Sequence, residues 1–446
     1  MTTDKNYALP QHFGHSYRTM VRGEGVHLID DQGQRYLDAA SGVGVTCIGY
    51  GVESVVAAIT EQAQTLAFSY GGGVDNRPRQ ELASTLQRWV PDGMGETRSL
   101  FCSGGGEANE AALKIAYQYH WERGNPIKRK IISRWQSYHG NTIATLSMSG
   151  RTQWRSMHQS YLLDFPHIAP PYAYRYPGED LDRARELERV IRQEGPEHIA
   201  AFIAEPVIGT SMSAVVPDAD YYRIIREICD EYNILFIVDE VMSGFGRTGK
   251  NFGIDHWNVT PDIITTGKGI SAGYAPLAAM VLGEKVWQAI ADGSQRVSYS
   301  NTYGGNPLSC ATGVAVLRYI EEHDLVKRTG EMGDKLIAAL RKEVGPLSIV
   351  GDIRGKGLFI GIEFVADKNS KEPFPAAWDV THQITKEAFN RGLIVLGGVT
   401  GLVDGIAGDH LEVLPPYTLE DTDVDFIVRT LKASIEQVTS ELQSTN

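Results

Sequence analysis

Asp262-Ile-Ile-Thr-Thr-Gly-Lys-Gly-Ile-Ser-Ala-Gly-Tyr-Ala-Pro-Leu277 sets a lysine, Lys268, between two glycines directly after a β-branched, strand-like run. Upstream, Ile234-Leu-Phe-Ile-Val-Asp-Glu240 brings a second run of the same kind to its end at Asp239. Continuously apolar strands belong to parallel sheets covered on both faces, and such sheets present ligands at the carboxyl ends of their strands. A lysine ammonium is costly to bury without a partner, so Lys268 at such an end calls for a chemical role rather than a packing one.

Outward from this stretch the chain alternates. Helix-like segments at 79–89, 107–123, 181–193, 219–232 and 307–322 interleave with apolar runs at 99–102, 130–133, 199–204, 234–238, 263–266 and 277–282. That pattern predicts an α/β fold whose large domain, residues 61–325, is built on a mostly parallel sheet of the seven-stranded type covered by helices. Beyond Asp324 the order changes to a long helix ending near Val344, a strand at 357–365, a helix near 380–390 and short apolar runs at 393–396 and 411–414. A last helix follows, and its start, with Thr418 three residues before Asp421, has the form of a capping box. Residues 326–446 therefore read as a smaller α+β domain. Residues 1–60 hold only two strand-like runs, 25–30 and 34–38, too little for a core, so both chain ends are expected to share the small domain.

The 446 residues are 42% hydrophobic and 22% charged, which suits an enzyme with large cores and excludes disordered and fibrous classes. A formal charge of −13 offers no basic footprint for nucleic acid or an anionic membrane. No run approaches the ~18 apolar residues that span a bilayer, and the first residues lack a signal-peptide core, so a cytoplasmic location is expected. Cys47, Cys102, Cys229 and Cys310 have no metal-ligand or disulfide spacing and read as reduced small hydrophobes, with no metal site.

Four further segments carry chemistry. Phe101-Cys-Ser-Gly-Gly-Gly-Glu-Ala-Asn-Glu110 puts three glycines between a strand and a helix, where backbone N–H groups can crowd a phosphate; the plainer reading is a strand-to-helix turn. Asp239 can hold a pyridine nitrogen protonated, or simply cap the next turn. Trp135-Gln-Ser-Tyr-His-Gly-Asn-Thr142 places Tyr138 and His139 at another strand end, where an aromatic ring can stack on a planar cofactor. Glu205 ends the run Ala201-Phe-Ile-Ala-Glu205 and is either a catalytic or a structural carboxylate. Together with Lys268 these point to pyridoxal 5′-phosphate, held as a Schiff base by the lysine and charged at its ring by Asp239. Gly244-Phe-Gly-Arg-Thr-Gly249 matches the dinucleotide-binding spacing, but that fingerprint needs a helix opening at its last glycine, and Gly253 and Pro261 break one here.

With Leu37-Asp-Ala-Ala-Ser-Gly42, Asn301-Thr-Tyr-Gly-Gly-Asn-Pro307, Arg354-Gly-Lys-Gly-Leu358 and Gly408-Asp-His410, these segments resemble the subgroup III (ω-) aminotransferases over nearly the whole chain. The family consists of pyridoxal-phosphate enzymes of fold type I. The resemblance implies that Lys268 carries the cofactor and that Asp239 pairs with its ring nitrogen. It places Tyr138 and Val241 on the two ring faces, with His139 in the same site and Glu205 among the catalytic groups. Amides of Gly105 and Gly106 would bind the phosphate, and Thr302 would reach it from a partner subunit, in a homodimer or dimer of dimers with active sites at the interface.

The implied reaction moves an amino group from a primary amine or ω-amino compound to a 2-oxo acid, pyruvate or 2-oxoglutarate, by a ping-pong mechanism. A lyase, epimerase or aminomutase on the same scaffold is the alternative, and a non-catalytic binding protein a more distant one. The sequence departs from the family at Gly106 (usually Ser or Thr), Met242 (commonly Gln), Gly405 (often Arg) and Gly44 (sometimes a bulky aromatic). These departures predict a substrate pocket bounded by Gly44, Tyr138 and Gly405, widened and short of its usual cation, unless Arg151, Arg175 or Arg247 supplies one. A larger or non-carboxylate amine is expected to fit it.

Overall fold

The computed structural model describes residues 7–10, 13 and 17–444. Its central sheet has seven strands in the order Arg98–Cys102, Ala278–Leu282, Ile263–Thr266, Leu235–Asp239, Ile199–Ala204, Lys130–Arg134 and His167–Ile168. The last five run parallel, and Ala278–Leu282 is antiparallel to both its neighbours. Alternate side chains enter opposite cores, as the two-residue period of a strand requires. Phe202, Phe236, Val238 and Ile264 join one cluster, while Ile203, Leu235, Ile237 and Ile263 join the other. Each face has its helices: Gly105–Glu122 covers the second through Ala112, Ile115 and Tyr119, and Tyr221–Glu231 covers the first through Tyr222 and Ile225.

Both chain ends meet in one sheet. Met20–Glu24, His27–Asp30 and Arg35–Asp38 form an antiparallel meander, and Leu393–Ile394 pairs in parallel with its last strand, Leu393 opposite Leu37. A third sheet orders Val350–Lys356, Phe359–Phe364, Asp409–Val413 and Leu396–Gly397.

Several elements differ from the sequence reading. A boundary at residue 60 falls inside the helix Glu53–Thr65, which packs on Pro307–Glu322 and buries only Val55 fully, so its core-facing stripe is faint. The helix expected from 79 starts at Arg77 because the Asn76 side chain accepts a hydrogen bond from the Arg79 N–H and Pro78 occupies its first turn. The seventh strand has only two residues, too short for any periodicity to show. The last helix, Asp421–Ser444, is not capped by Thr418, whose hydroxyl is buried without a partner; the Asp423 carboxylate instead accepts the Glu420 N–H at 2.8 Å. All four cysteines are buried and unpaired, and burial pushes their thiols up to about 11 or 12. Among the described residues no helix is long and apolar enough to cross a membrane.

Candidate active site

Strand ends build the site. Leu235–Asp239 delivers Asp239, Ile263–Thr266 is followed by Gly267 and Lys268, Lys130–Arg134 leads to Tyr138 and His139, and Ile199–Ala204 leads to Glu205. Asp239, Lys268, Tyr138, His139 and Glu205 line one cavity of about 560 Å³, together with Gly104, Gly105, Gly106 and Val241. A recess of about 660 Å³ near the Arg98–Cys102 edge, lined by Arg79, Glu96 and Trp287, holds none of these groups.

Asp239 is 4% exposed and fully partnered. Its Oδ2 accepts from His139 Nδ1 and from Asn109 Nδ2, each at 2.8 Å, and its Oδ1 accepts the Val241 N–H at 3.1 Å. Asn109 is itself fixed: its amide also donates to the His139 carbonyl at 2.8 Å, and its carbonyl accepts the Thr265 hydroxyl at 2.6 Å. The sequence reading missed Asn109. Its signal was the spacing, because a residue four positions after Gly105 lies one helical turn into Gly105–Glu122 and points back to the strand ends.

At the start of that helix no side chain caps the backbone, so the first N–H groups stay free toward the cavity. A Cβ on Gly105 would lie 2.8 Å from both γ-carbons of Val241, so only glycine fits. On Gly106 it would meet nothing closer than the Gly140 Cα at 3.8 Å, which leaves room for a side chain the sequence lacks. Free amides, a helix N-terminus and a glycine that admits no side chain fit a phosphate group, and the partnered Asp239 carboxylate fits a protonated ring nitrogen.

Lys268 adopts a left-handed backbone, φ +44°, as the chain turns out of its strand. Burial lowers its ammonium below the usual lysine value, opposed by the carboxylates of Glu412, Asp239 and Glu205. Glu205 accepts the Tyr138 N–H at 3.0 Å and the Gly209 N–H at 2.8 Å, and burial raises its carboxyl. Glu412, which the sequence reading passed over inside an apolar run, is fully buried in Asp409–Val413 with neither oxygen hydrogen-bonded. Burial raises it to about 8, against the pull of Lys268 and Arg151.

The remaining expectations separate. Arg151 lines the cavity, whereas Arg175 is bound to Glu363 at 2.7 Å and Arg247 donates to the carbonyls of Leu358 and Pro415. Neither Gly44 nor Gly405 lines the cavity. A Cβ added to Gly44 would lie 3.5 Å from the Met242 Cε, and Gly405 sits at φ +76° where a side chain would run into Thr152. Met242 itself is on the lining. Thr302 is exposed and outside the cavity. Residues 240–252 after Asp239 form turns with no helix at Gly249, whose added Cβ would lie 2.8 Å from the Gly330 Cα, so the glycines there serve close packing.

Residues 9–435 match the family described as Aminotransferase class-III. The aminotransferase YodT of Bacillus subtilis (strain 168) is 36% identical over 98% of this chain and 99% of its own length. A Bacillus anthracis aminotransferase structure superposes with a TM-score of 0.90 at 37% identity, covering 95% of this chain and 94% of that one. An amine transaminase from an uncultivated Pseudomonas species, solved in its PLP-bound form, gives a TM-score of 0.91 at 33% identity over 98% of this chain and the whole of the other.

Proposed function

Since this chain belongs to the class III aminotransferase family, an enzyme family that depends on pyridoxal phosphate, we propose that it carries an amino group from a primary amine or ω-amino compound to a 2-oxo acid, pyruvate or 2-oxoglutarate, in a two-stage ping-pong exchange. The observation that carries this reading is that Lys268 and Asp239 reach one cavity from neighbouring strands.

Bound there, pyridoxal phosphate supplies a ring that takes up the electron pair left when a carbon–hydrogen bond of the amine breaks. The chain supplies everything around that event. Amides of Gly105 and Gly106 bind the phosphate. Asp239, aligned by Asn109 and His139, pairs with the ring nitrogen. Tyr138 and Val241 would flank the ring, and Glu205 fixes the Tyr138 backbone. Lys268 would hold the cofactor covalently and, as a neutral amine, would move the proton at the substrate carbon; burial of its ammonium favours that neutral form. Thr302, exposed beside the exposed aromatic Tyr303, would complete the phosphate site of a second copy in a homodimer.

Amine given alone to cofactor-loaded protein tests the reading. One equivalent of aldehyde or ketone per site should form and then stop until a 2-oxo acid is added. Continuous turnover without an acceptor would assign a lyase, epimerase or aminomutase instead, and no reaction across primary and ω-amino donors would remove the assignment.

A further inference from the structure

Among the described residues lining the cavity only Lys268 and Arg151 carry a full positive charge, and Lys268 is taken by the chemistry. Arg151 is 7% exposed and has no carboxylate within ion-pair distance among the described residues. Its Nε donates to the Ser211 hydroxyl at 2.9 Å and its Nη2 to the Thr210 hydroxyl, so one edge of the guanidinium is fixed by neutral acceptors. Nη1 donates no hydrogen bond among the described residues, which leaves the end of the fork free. The charge lies 4.8 Å from the ring centres of both Tyr138 and Trp154, which hold its plane. Burial lowers Arg151 from the usual arginine value, opposed at longer range by the carboxylates of Glu205 and Glu412, so the guanidinium feels acidic groups without being directly paired to one.

Given amino transfer in this cavity, on which the inference rests, we propose that Arg151 is the receptor for the carboxylate of the 2-oxo acid acceptor. A 2-oxo acid places a planar carboxylate one bond from the carbonyl that must approach Lys268, and two parallel N–H···O bonds from a guanidinium fork match that group. The neighbouring stretch 404–408, Asp404-Gly-Ile-Ala-Gly408, contains no basic residue, and the backbone at Gly405 is pressed against Thr152, directly after Arg151. The helix Thr152–His158, which begins after Arg151, thus leaves no room for a side chain at position 405. An amine donor without an acid group would bind beside Arg151 without engaging it. Arg151 would thus be a specificity residue for the second stage of the exchange alone.

The test compares holoenzyme with Arg151→Met. KM for pyruvate and for 2-oxoglutarate should rise about 10- to 100-fold, as loss of a charge-assisted pair implies, while KM for an uncharged aldehyde acceptor and the amount of cofactor bound stay within about twofold. Calorimetric binding of butyrate, an unreactive acid, should weaken by at least about 10-fold. Unchanged KM values for both oxo acids would overturn the proposal, and so would equal losses with oxo acids and aldehyde, which would mark a structural role. If Arg151→Met does not fold, Arg151→Lys decides: a smaller rise confined to the acids supports the fork, and no selective rise overturns it. Failure of the wild-type protein to convert any amine is a separate outcome that removes the amino-transfer reading itself.

Discussion

Asp239 and Glu412 are both buried carboxylates acting on the charge of Lys268, and the protein holds them in opposite ways. Asp239 takes three donors, and one of them, the Asn109 side chain, is held by further hydrogen bonds. Glu412 takes none, and the Nδ1 of His410, two residues earlier on the same face of its strand, is also buried without a partner. The first carboxylate is fixed and satisfied, as the proposed contact to an unchanging cofactor requires. The second is unsatisfied around a cavity cation, Arg151, and its energy depends on what protonates or binds there.

Removing the charge of the satisfied carboxylate breaks the comparison most severely. Asp239→Asn should reduce turnover on the order of 10²- to 10³-fold while the protein still folds and takes up cofactor; steady-state rates with a fixed amine and pyruvate measure it. If activity matched wild type, the cluster around Asp239 would have no role in the chemistry.

The same contrast between filled and open space recurs at Gly105 and Gly106, the proposed phosphate site. Gly105→Ala forces a methyl against Val241 and should weaken cofactor binding about 10- to 100-fold, whereas Gly106→Ala should change it by no more than about twofold. Cofactor titration followed by absorbance distinguishes the two.

At the unsatisfied carboxylate the expected effect is smaller and depends on pH. Glu412 is raised to about 8 in the folded protein from an ordinary value of 4.5. Between those values the folded state keeps a proton that the unfolded state has lost, so this group's contribution makes stability fall as pH rises through the window. Glu412→Gln removes that loss. Melting curves at pH 5 and pH 8.5 should show the variant gaining on wild type by at least about 1 kcal/mol at the higher pH. A constant difference at both values would mean that Glu412 is ionised throughout.

The same two regions explain what the sequence disclosed. The large sheet and the floor of the site were legible because strands such as Ile199–Ala204 and Leu235–Asp239 are wholly buried, and their ends carry Glu205 and Asp239 in short local motifs. Lys268 stood out for the same reason, as a lysine at the end of such a strand. Asn109 was harder because its partner is 130 residues away and only the fold joins them. Glu412 was hidden in Leu411-Glu-Val-Leu414, where strand periodicity says which face a residue takes but not what lies across from it. Gly44 and Gly405 were harder to place because an absent side chain says nothing of where the backbone runs; an added Cβ would meet Met242 at the first and Thr152 at the second. Arg151 could be separated from Arg175 and Arg247 only by seeing which of the three lines the cavity.

The central claim is that Lys268 forms the covalent link to pyridoxal phosphate in this cavity. Protein incubated with the cofactor, reduced with borohydride, digested and analysed by mass spectrometry tests it directly. The added mass of one cofactor should appear on the peptide containing Lys268, and none in Lys268→Ala. Label on another lysine, or equal labelling of the variant, would contradict it.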